Sequence, residues 1–311
     1  MCTISSHSNG PRQDWLVCPF RALDDDLLND VVLRLFGYNE FDDVMLCAAP
    51  VLSYEERRAQ LRQAAALGRP VIVYFQSKLG GEITVPKTDR SPELSLDATL
   101  AELLPPEKGE GPRLGRYGIF EVQTMDYHDS YAHAVKALNS ALDLHTDQFH
   151  NVLADNAEWL ARKIEGPNIA NVFKRTFYQM MFKFQIGAHG QSAGCALAIP
   201  RAVWDSWQRH LGAPELTPQP DGTWRLAADV PDGGNTKPPA WIYVFDIEAS
   251  AAHTPNRLIL WRIIGTDASA VAHYALDVAP QAALEQGGSV DRIMLGLRRR
   301  LAEYLPETFL A

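Results

Sequence analysis

Apolar positions along the chain alternate between stretches of helical period and stretches of strand period. Leu23, Leu27, Leu28, Val31, Val32, Leu35 and Phe36 recur at helical spacing, with Asp24 to Asp26 in the first turn and Gly37 as a stop. A second helix is predicted from about Ser53 to Leu67, closed by Gly68 and followed by a strand from Val71 to Phe75. Further helices follow: one with Tyr131, Val135, Leu138 and Leu142 on its apolar face, capped by Asp126 or Ser130, then patterns over 147 to 163 and 168 to 185 separated by Gly166 and Pro167. The last of these carries Phe173, Phe177, Met180 and Phe184 on one stripe. Gly194 to Pro200 reads as a buried strand before a helix with Trp204 and Trp207. Trp241 to Ile247 and Leu258 to Ile264 read as an antiparallel strand pair, and Val290 to Leu305 as a final helix. Such a succession predicts an α/β fold, a mixed central sheet flanked by helices with added helical and β elements. No Gly- or Ser-rich linker divides the chain, so residues 1 to 311 are expected to form a single domain.

One stretch departs from this rhythm. Residues 94 to 124 hold two runs rich in β-forming residues around a tip crowded with Pro and Gly, which predicts a β-hairpin with a long loop. If its pairing is symmetric about Gly109, Asp97 lies opposite Glu121. Strand side chains alternate, so Gln123 joins that face while Phe120 and Val122 turn into the core. Two carboxylates that close repel by about 3 kcal/mol at an effective dielectric near 20, and a shared proton or a metal ion would compensate them. Asp, Glu and Gln present hard oxygens, which suits Mg²⁺ with retained waters. The plain alternative is that Asp97 and Glu121 sit on the solvated side of a half-buried sheet.

Other chemistry-bearing residues are each open to two readings. Gly80 and Gly81 make either a turn between strands or a close approach that brings Glu82 toward a metal or a phosphate. Asp89 and Glu93 compete with Asp97, but Pro86 and Pro92 interrupt any continuous strand there. His128 and His133 are helix-entry residues or, for His128, a general base. Lys174, Arg175, Gln179 and Lys183, with Arg162 and Lys163, form a basic cluster that is either phosphate-facing or a solvated face. Asp246 and Glu248 are a rival acidic pair, spaced like Glu121 and Gln123. Arg298 to Arg300 read as a solvated helix end.

An Asp on one strand followed by Glu-x-Gln about two dozen residues later resembles the divergent PD-(D/E)XK nuclease signature, with Gln in the usual Lys place. Gly-Gly-Glu-Ile at 80 to 83, Arg-Ser-Pro-Glu-Leu-Ser-Leu-Asp at 90 to 97 and Glu-Val-Gln-Thr-Met-Asp-Tyr-His at 121 to 128 are similar to the NotI-like type II restriction endonucleases. Weaker echoes occur in Cys-Pro-Phe at 18 to 20 and in 176 to 210. The resemblance implies a PD-(D/E)XK restriction-endonuclease-like core and Mg²⁺-dependent cleavage of double-stranded DNA by a homodimer, with a cognate DNA methyltransferase as functional partner. It makes Asp97 and Glu121 metal ligands together with the carbonyl of Val122, Gln123 the water-positioning residue and Glu82 an accessory acid. Lys174, Arg175 and Lys183 become DNA-binding candidates, and 147 to 185 and 214 to 240 become possible DNA-contact elaborations. The best-known members of that family carry a cysteine-ligated iron; this chain has no Cys-x-x-Cys, and the iron is not carried over. Two other classes stay open: a repair or recombination nuclease using the same acids on structured DNA, and a non-catalytic DNA-binding relative.

Composition narrows the setting. Hydrophobic content of 46% with 22% charged residues is that of a globular protein. The net charge of −9 argues against a general nucleic-acid coat protein, though not against a locally basic DNA cleft. Cys2, Cys18, Cys47 and Cys195 are too far apart in sequence for a local metal cage and are expected to be reduced thiols. No run approaches the ~18 apolar residues of a membrane span, and no signal segment is recognisable at the N-terminus, so a cytoplasmic location is expected.

Overall fold

The computed structural model describes residues 3–6, 13–16, 25–39, 44–105, 112–124, 132–161, 169–228, 237–248, 257–286 and 288–306. Its first half comprises β1 (Thr3–Ser6), β2 (Gln13–Leu16), α1 (Asp25–Phe36), β3 (Met45–Ala48), α2 (Glu55–Ala66), β4 (Val71–Gln76), β5 (Ile83–Val85), β6 (Leu94–Leu96), β7 (Ala98–Leu104) and β8 (Arg113–Val122). The second half comprises α3 (Ala132–Leu144), α4 (Phe149–Asp155), α5 (Glu158–Ala161), α6 (Ile169–Gly187), β9 (Ser192–Pro200), α7 (Arg201–His210), β10 (Thr217–Pro218), β11 (Trp224–Arg225), β12 (Ala240–Ile247), β13 (Leu258–Thr266), α8 (Ala268–His273), α9 (Ala279–Gln286) and α10 (Ser289–Ala302).

Nine strands form one mixed sheet in the order β10-β11-β13-β12-β9-β8-β7-β4-β3. Strands β4, β7 and β8 make an antiparallel meander, and the helical segment between β8 and β9 then returns the chain so that β9 runs parallel to β8. Strand β12 lies parallel to β9, with β13 antiparallel beyond it. Helices cover both faces. On one side Leu28, Val31, Val32, Leu35 and Phe36 of α1 pack on Ile72, Leu100, Phe120, Ala198, Tyr243 and Phe245. On the other, α6, α7 and α8 pack on Ile119, Cys195, Leu197, Ile199, Val244 and Ile264, while α2 lies over β3 and β4 through Leu61, Ala64, Val71 and Val73. A sheet buried on both faces needs near-continuous apolar strands, and the runs in β9 and β12 are of that kind.

The predicted boundaries hold where a stop is chemically sharp. Gly37 and Gly68 end α1 and α2 with φ of 78° and 74°, a conformation that costs glycine no steric penalty. Elsewhere the structure corrects the pattern. The polar N-terminal lead contains the ribbon β1–β2, whose Trp15 and Leu16 are buried. Residues 147 to 163 are not one helix: a 3-10 turn over Thr146–Gln148 precedes α4, and α5 is a separate turn of helix. On α3 the buried residues are Ala134 and Ala141, whereas Leu142 is exposed. Residues 94 to 96 belong not to the long hairpin but to β6, which pairs with β5 in a separate ribbon. The excursion at 214 to 240 includes β10 and β11, a short hairpin that extends the sheet beyond β13. Asp126, His128, Ser130, Tyr131, Arg162, Lys163, Cys2 and the Cys-Pro-Phe run lie outside the described residues. Among those described, Cys47 and Cys195 are buried free thiols, and no helix is long and apolar enough to cross a membrane.

Candidate active site

The base of the long hairpin has the register that the sequence predicts. Ala98 pairs with Phe120, Thr99 with Ile119 and Leu100 with Gly118, so Asp97 and Glu121 occupy the next position. A register shift between Ala101 and Leu103 displaces only the distal half. Beyond Ala98 the ladder is replaced by side chains. The Asp97 N–H donates to Glu121 Oε1 at 3.1 Å, and the Val122 N–H donates to Asp97 Oδ2 at 3.0 Å. Each carboxylate thus accepts a backbone amide from the other strand, which fixes both without a rigid turn.

Strand parity sends Phe120 into the α1 side of the core and Glu121 toward α6. That side is not solvated: Glu121 is 7% exposed. Its Oε2 accepts a hydrogen bond from Lys183 Nζ, itself 6% exposed, in a buried ion pair. The Lys183 side chain, a DNA-binding candidate in the sequence, thus turns inward to Glu121 and not onto a solvated face. Around α6 it stands in line with Thr176 and Gly187, seven residues before and four after, and this line faces the sheet beside the aromatic stripe. Gly187 permits the approach: a Cβ there would stand 2.6 Å from the Cβ of Cys195 and 2.9 Å from its backbone nitrogen. Small residues on Lys183's helical line are the signal that places it inward, and a stripe drawn only through Phe173, Phe177, Met180 and Phe184 misses it.

Burial, and after it the charge of Asp97, push the Glu121 carboxyl up to about 8; Lys183 and the Asp97 amide act the other way. A second buried carboxylate in the same hairpin behaves oppositely. Burial of Glu102 also works upward, but hydrogen bonds from Arg116 and Tyr38 outweigh it and the pKa falls below the ordinary value. The Arg116 guanidinium bonds both Glu102 oxygens, at 3.1 and 2.9 Å, and also donates to the Phe36 carbonyl at the end of α1. Glu102 is a satisfied structural anion. Glu121 is the strained one, and such shifts gather where groups must exchange protons or ligands.

Asp97, Glu121, Val122, Gln123, Gln179 and Lys183 line a cavity of about 30 Å³, enough to admit a water or a small ion. The Gln123 N–H donates to the Ala198 carbonyl at 3.0 Å, and its side-chain amide donates to the Thr124 carbonyl at 3.0 Å. The cavity lies at the carboxyl ends of the parallel pair β8 and β9, the edge where open α/β sheets place ligands. Its donors are hard oxygens and fit a small divalent cation: Asp97 Oδ1 accepts no hydrogen bond among the described residues, and an ion at Glu121 would compete with Lys183.

Glu82 is exposed, and the β5–β6 ladder stops at Ile83 and Leu96, one step short of Glu82 and Asp97. Gly80 and Gly81, with φ of 91° and 86°, form the turn that joins β4 to β5. The β5–β6 register sets Glu82 opposite Asp97 at the next position, while among the described residues no group of three or more His, Cys, Asp or Glu gathers at metal-ligand spacing. Lys174 and Arg175 are exposed on α6, and His133 is exposed on α3. Asp246 of β12 pairs with Arg201 at the start of α7 at 3.4 Å.

Fold and site define an α/β protein with a mixed sheet and a carboxylate–lysine centre at the carboxyl edge of its parallel strands. No protein-family model matches the chain, and no curated protein matches its sequence.

Proposed function

We propose that this chain is a Mg²⁺-dependent, site-specific endonuclease of the type II restriction class, built on a PD-(D/E)XK-like core and cutting both strands of double-stranded DNA as a homodimer. The observation that carries the reading is Glu121, buried and raised in pKa, clasped between Asp97 and Lys183 beside a cavity of ionic size. In this reading Asp97 and Glu121, with the Val122 carbonyl, hold the metal. When bound, Mg²⁺ supplies charge neutralisation at the phosphate and lowers the pKa of a coordinated water. Gln123 orients the attacking water by hydrogen bonds. It carries no charge, and Lys183 delivers from α6 the positive charge that Gln123 lacks. Freed from Glu121, the Lys183 ammonium would face the phosphate anion, where a fixed cation stabilises charge that grows in the transition state. Lys174 and Arg175, exposed on the same helix, are the phosphate contacts of the flanking DNA.

A digest of a mixed panel of linear and plasmid DNA with Mg²⁺, read by end-sequencing, tests this. Discrete fragments with common ends, abolished by chelator, are expected. Undiminished cleavage in excess chelator would overturn the metal role, and cutting confined to branched or flapped DNA would make the protein a repair-type nuclease with the same centre.

A further inference from the structure

Helix α10 presents Val290, Met294, Leu297 and Leu301 at spacings of four, three and four, the repeat of a coiled-coil seam. All four are exposed, and the most covered, Leu301, still shows 39% of its surface. Within the chain α10 packs on α9, and Ile293, Leu295, Leu284 of α9 and Leu276 just before it are exposed as well. Monomers rarely show contiguous apolar patches larger than a few hundred Å². The four seam residues and Ile293 beside them, each 39% to 60% exposed, make one continuous apolar stripe along α10.

The charges on α10 select the occupant and its direction. With Met294 and Leu301 at a and Val290 and Leu297 at d, Asp291 and Arg298 fall at e, and Ile293 and Arg300 at g. A parallel pair would set g against e, opposing Ile293 to Arg298, and would crowd both copies of Arg298, Arg299 and Arg300 at one end. An antiparallel pair sets e against e and g against g, so it too opposes Ile293 to Arg300, and the e positions decide between the two directions. Asp291 of each copy then meets Arg298 of the other, twice by symmetry, and the helix dipoles oppose.

We propose that α10 is a self-association helix: it packs antiparallel on α10 of a second copy of this chain, with paired Asp291 and Arg298 flanking an apolar seam. The proposal rests on the homodimer of the proposed function and names the surface that forms it; assembly is measured without DNA or metal, so its failure is distinct from failure of the carboxylate centre.

Sedimentation equilibrium of the full chain at micromolar concentration tests it. The wild type is expected to be a dimer, and the double variant Met294→Glu/Leu297→Glu a monomer with unchanged circular dichroism, since both side chains are half exposed. Asp291→Arg and Arg298→Asp should each weaken the dimer by about tenfold, and the two together should restore it to within about threefold. A wild type that is monomeric throughout overturns the proposal, whether or not α10 then binds anionic vesicles. So does a dimer that survives Met294→Glu/Leu297→Glu. Failure of the charge-swapped pair to regain affinity overturns the antiparallel arrangement.

Discussion

The Lys183 ammonium donates to Glu121 Oε2 across 62 residues of sequence, and both groups are withdrawn from solvent. A buried pair of this kind contributes little net stability, because desolvation offsets the attraction, yet removing one partner alone is costly. Lys183→Met is therefore expected to lower stability by about 3 kcal/mol above pH 8, and by less at pH 6, where Glu121 can take up a proton. Glu121→Gln/Lys183→Met should recover most of the loss. Urea unfolding followed by circular dichroism at both pH values checks this, and additive losses would mean that the two groups are not coupled.

The titration of Glu121 gives a second expectation. Its folded value of about 8 stands above the ordinary 4.5, so the folded metal-free protein holds a proton that the unfolded chain has released. The stabilisation is complete below pH 4.5 and is lost as pH rises through 8. A divalent cation needs the ionised form, so its affinity should rise about tenfold per pH unit below that value. Calorimetric titration with Mn²⁺ at pH 6.5 and 7.5 measures it, and Glu121→Gln should remove the dependence.

Three substitutions rank the roles in cleavage. Under single-turnover conditions Lys183→Ala is expected to slow cutting by about 100-fold or more, Gln123→Ala by about tenfold and Glu82→Ala by less than about threefold. The order follows from the ion pair, from the cavity wall and from the exposed position of Glu82. A Glu82→Ala defect larger than that of Gln123→Ala would place the working centre toward β5.

Glu121→Ala separates catalyst from reader. Without metal it frees the Lys183 ammonium from its partner beside the phosphate, so specific DNA should bind at least as well as to the wild type. With Mg²⁺ it should cut at least ~100-fold more slowly, a loss of roughly 2.7 kcal/mol in transition-state stabilisation. Filter binding and single-turnover cleavage on the same DNA decide between the roles. Loss of both, with the fold intact, would make Glu121 a DNA contact and bring Asp246 and Glu248 forward.

Gly187→Ala tests the approach of α6. Its Cβ would meet Cys195 at 2.6 Å, so the helix must move off β9 and carry Lys183 away from Glu121. A stability loss of about 1–3 kcal/mol is expected, with cleavage falling further than stability alone explains. Full activity in this variant would show that Lys183 tolerates displacement.

The elements were largely legible in the sequence because they rest on local physics. Helical spacing and a glycine stop place α1 within two residues at its start and at Phe36, and apolar runs place β4, β9, β12 and β13. The opposition of Asp97 and Glu121 was legible too, since antiparallel register and period-two alternation follow from counting along one hairpin. Three things were not. The ribbon β1–β2 hid in a polar lead, where two buried side chains are too few to make a period. Glu121 could be read as solvated because parity says which way a side chain turns and not whether a helix covers that face. Lys183 read as a surface cation because its partner is remote in sequence. Only the packing of α6 on β8 and β9, allowed by Gly187, withdraws both charges from water. Sequence pattern decided what each segment is and which acids share a face; tertiary packing decided which of them are buried, and burial is what turns a pair of carboxylates into a candidate active site.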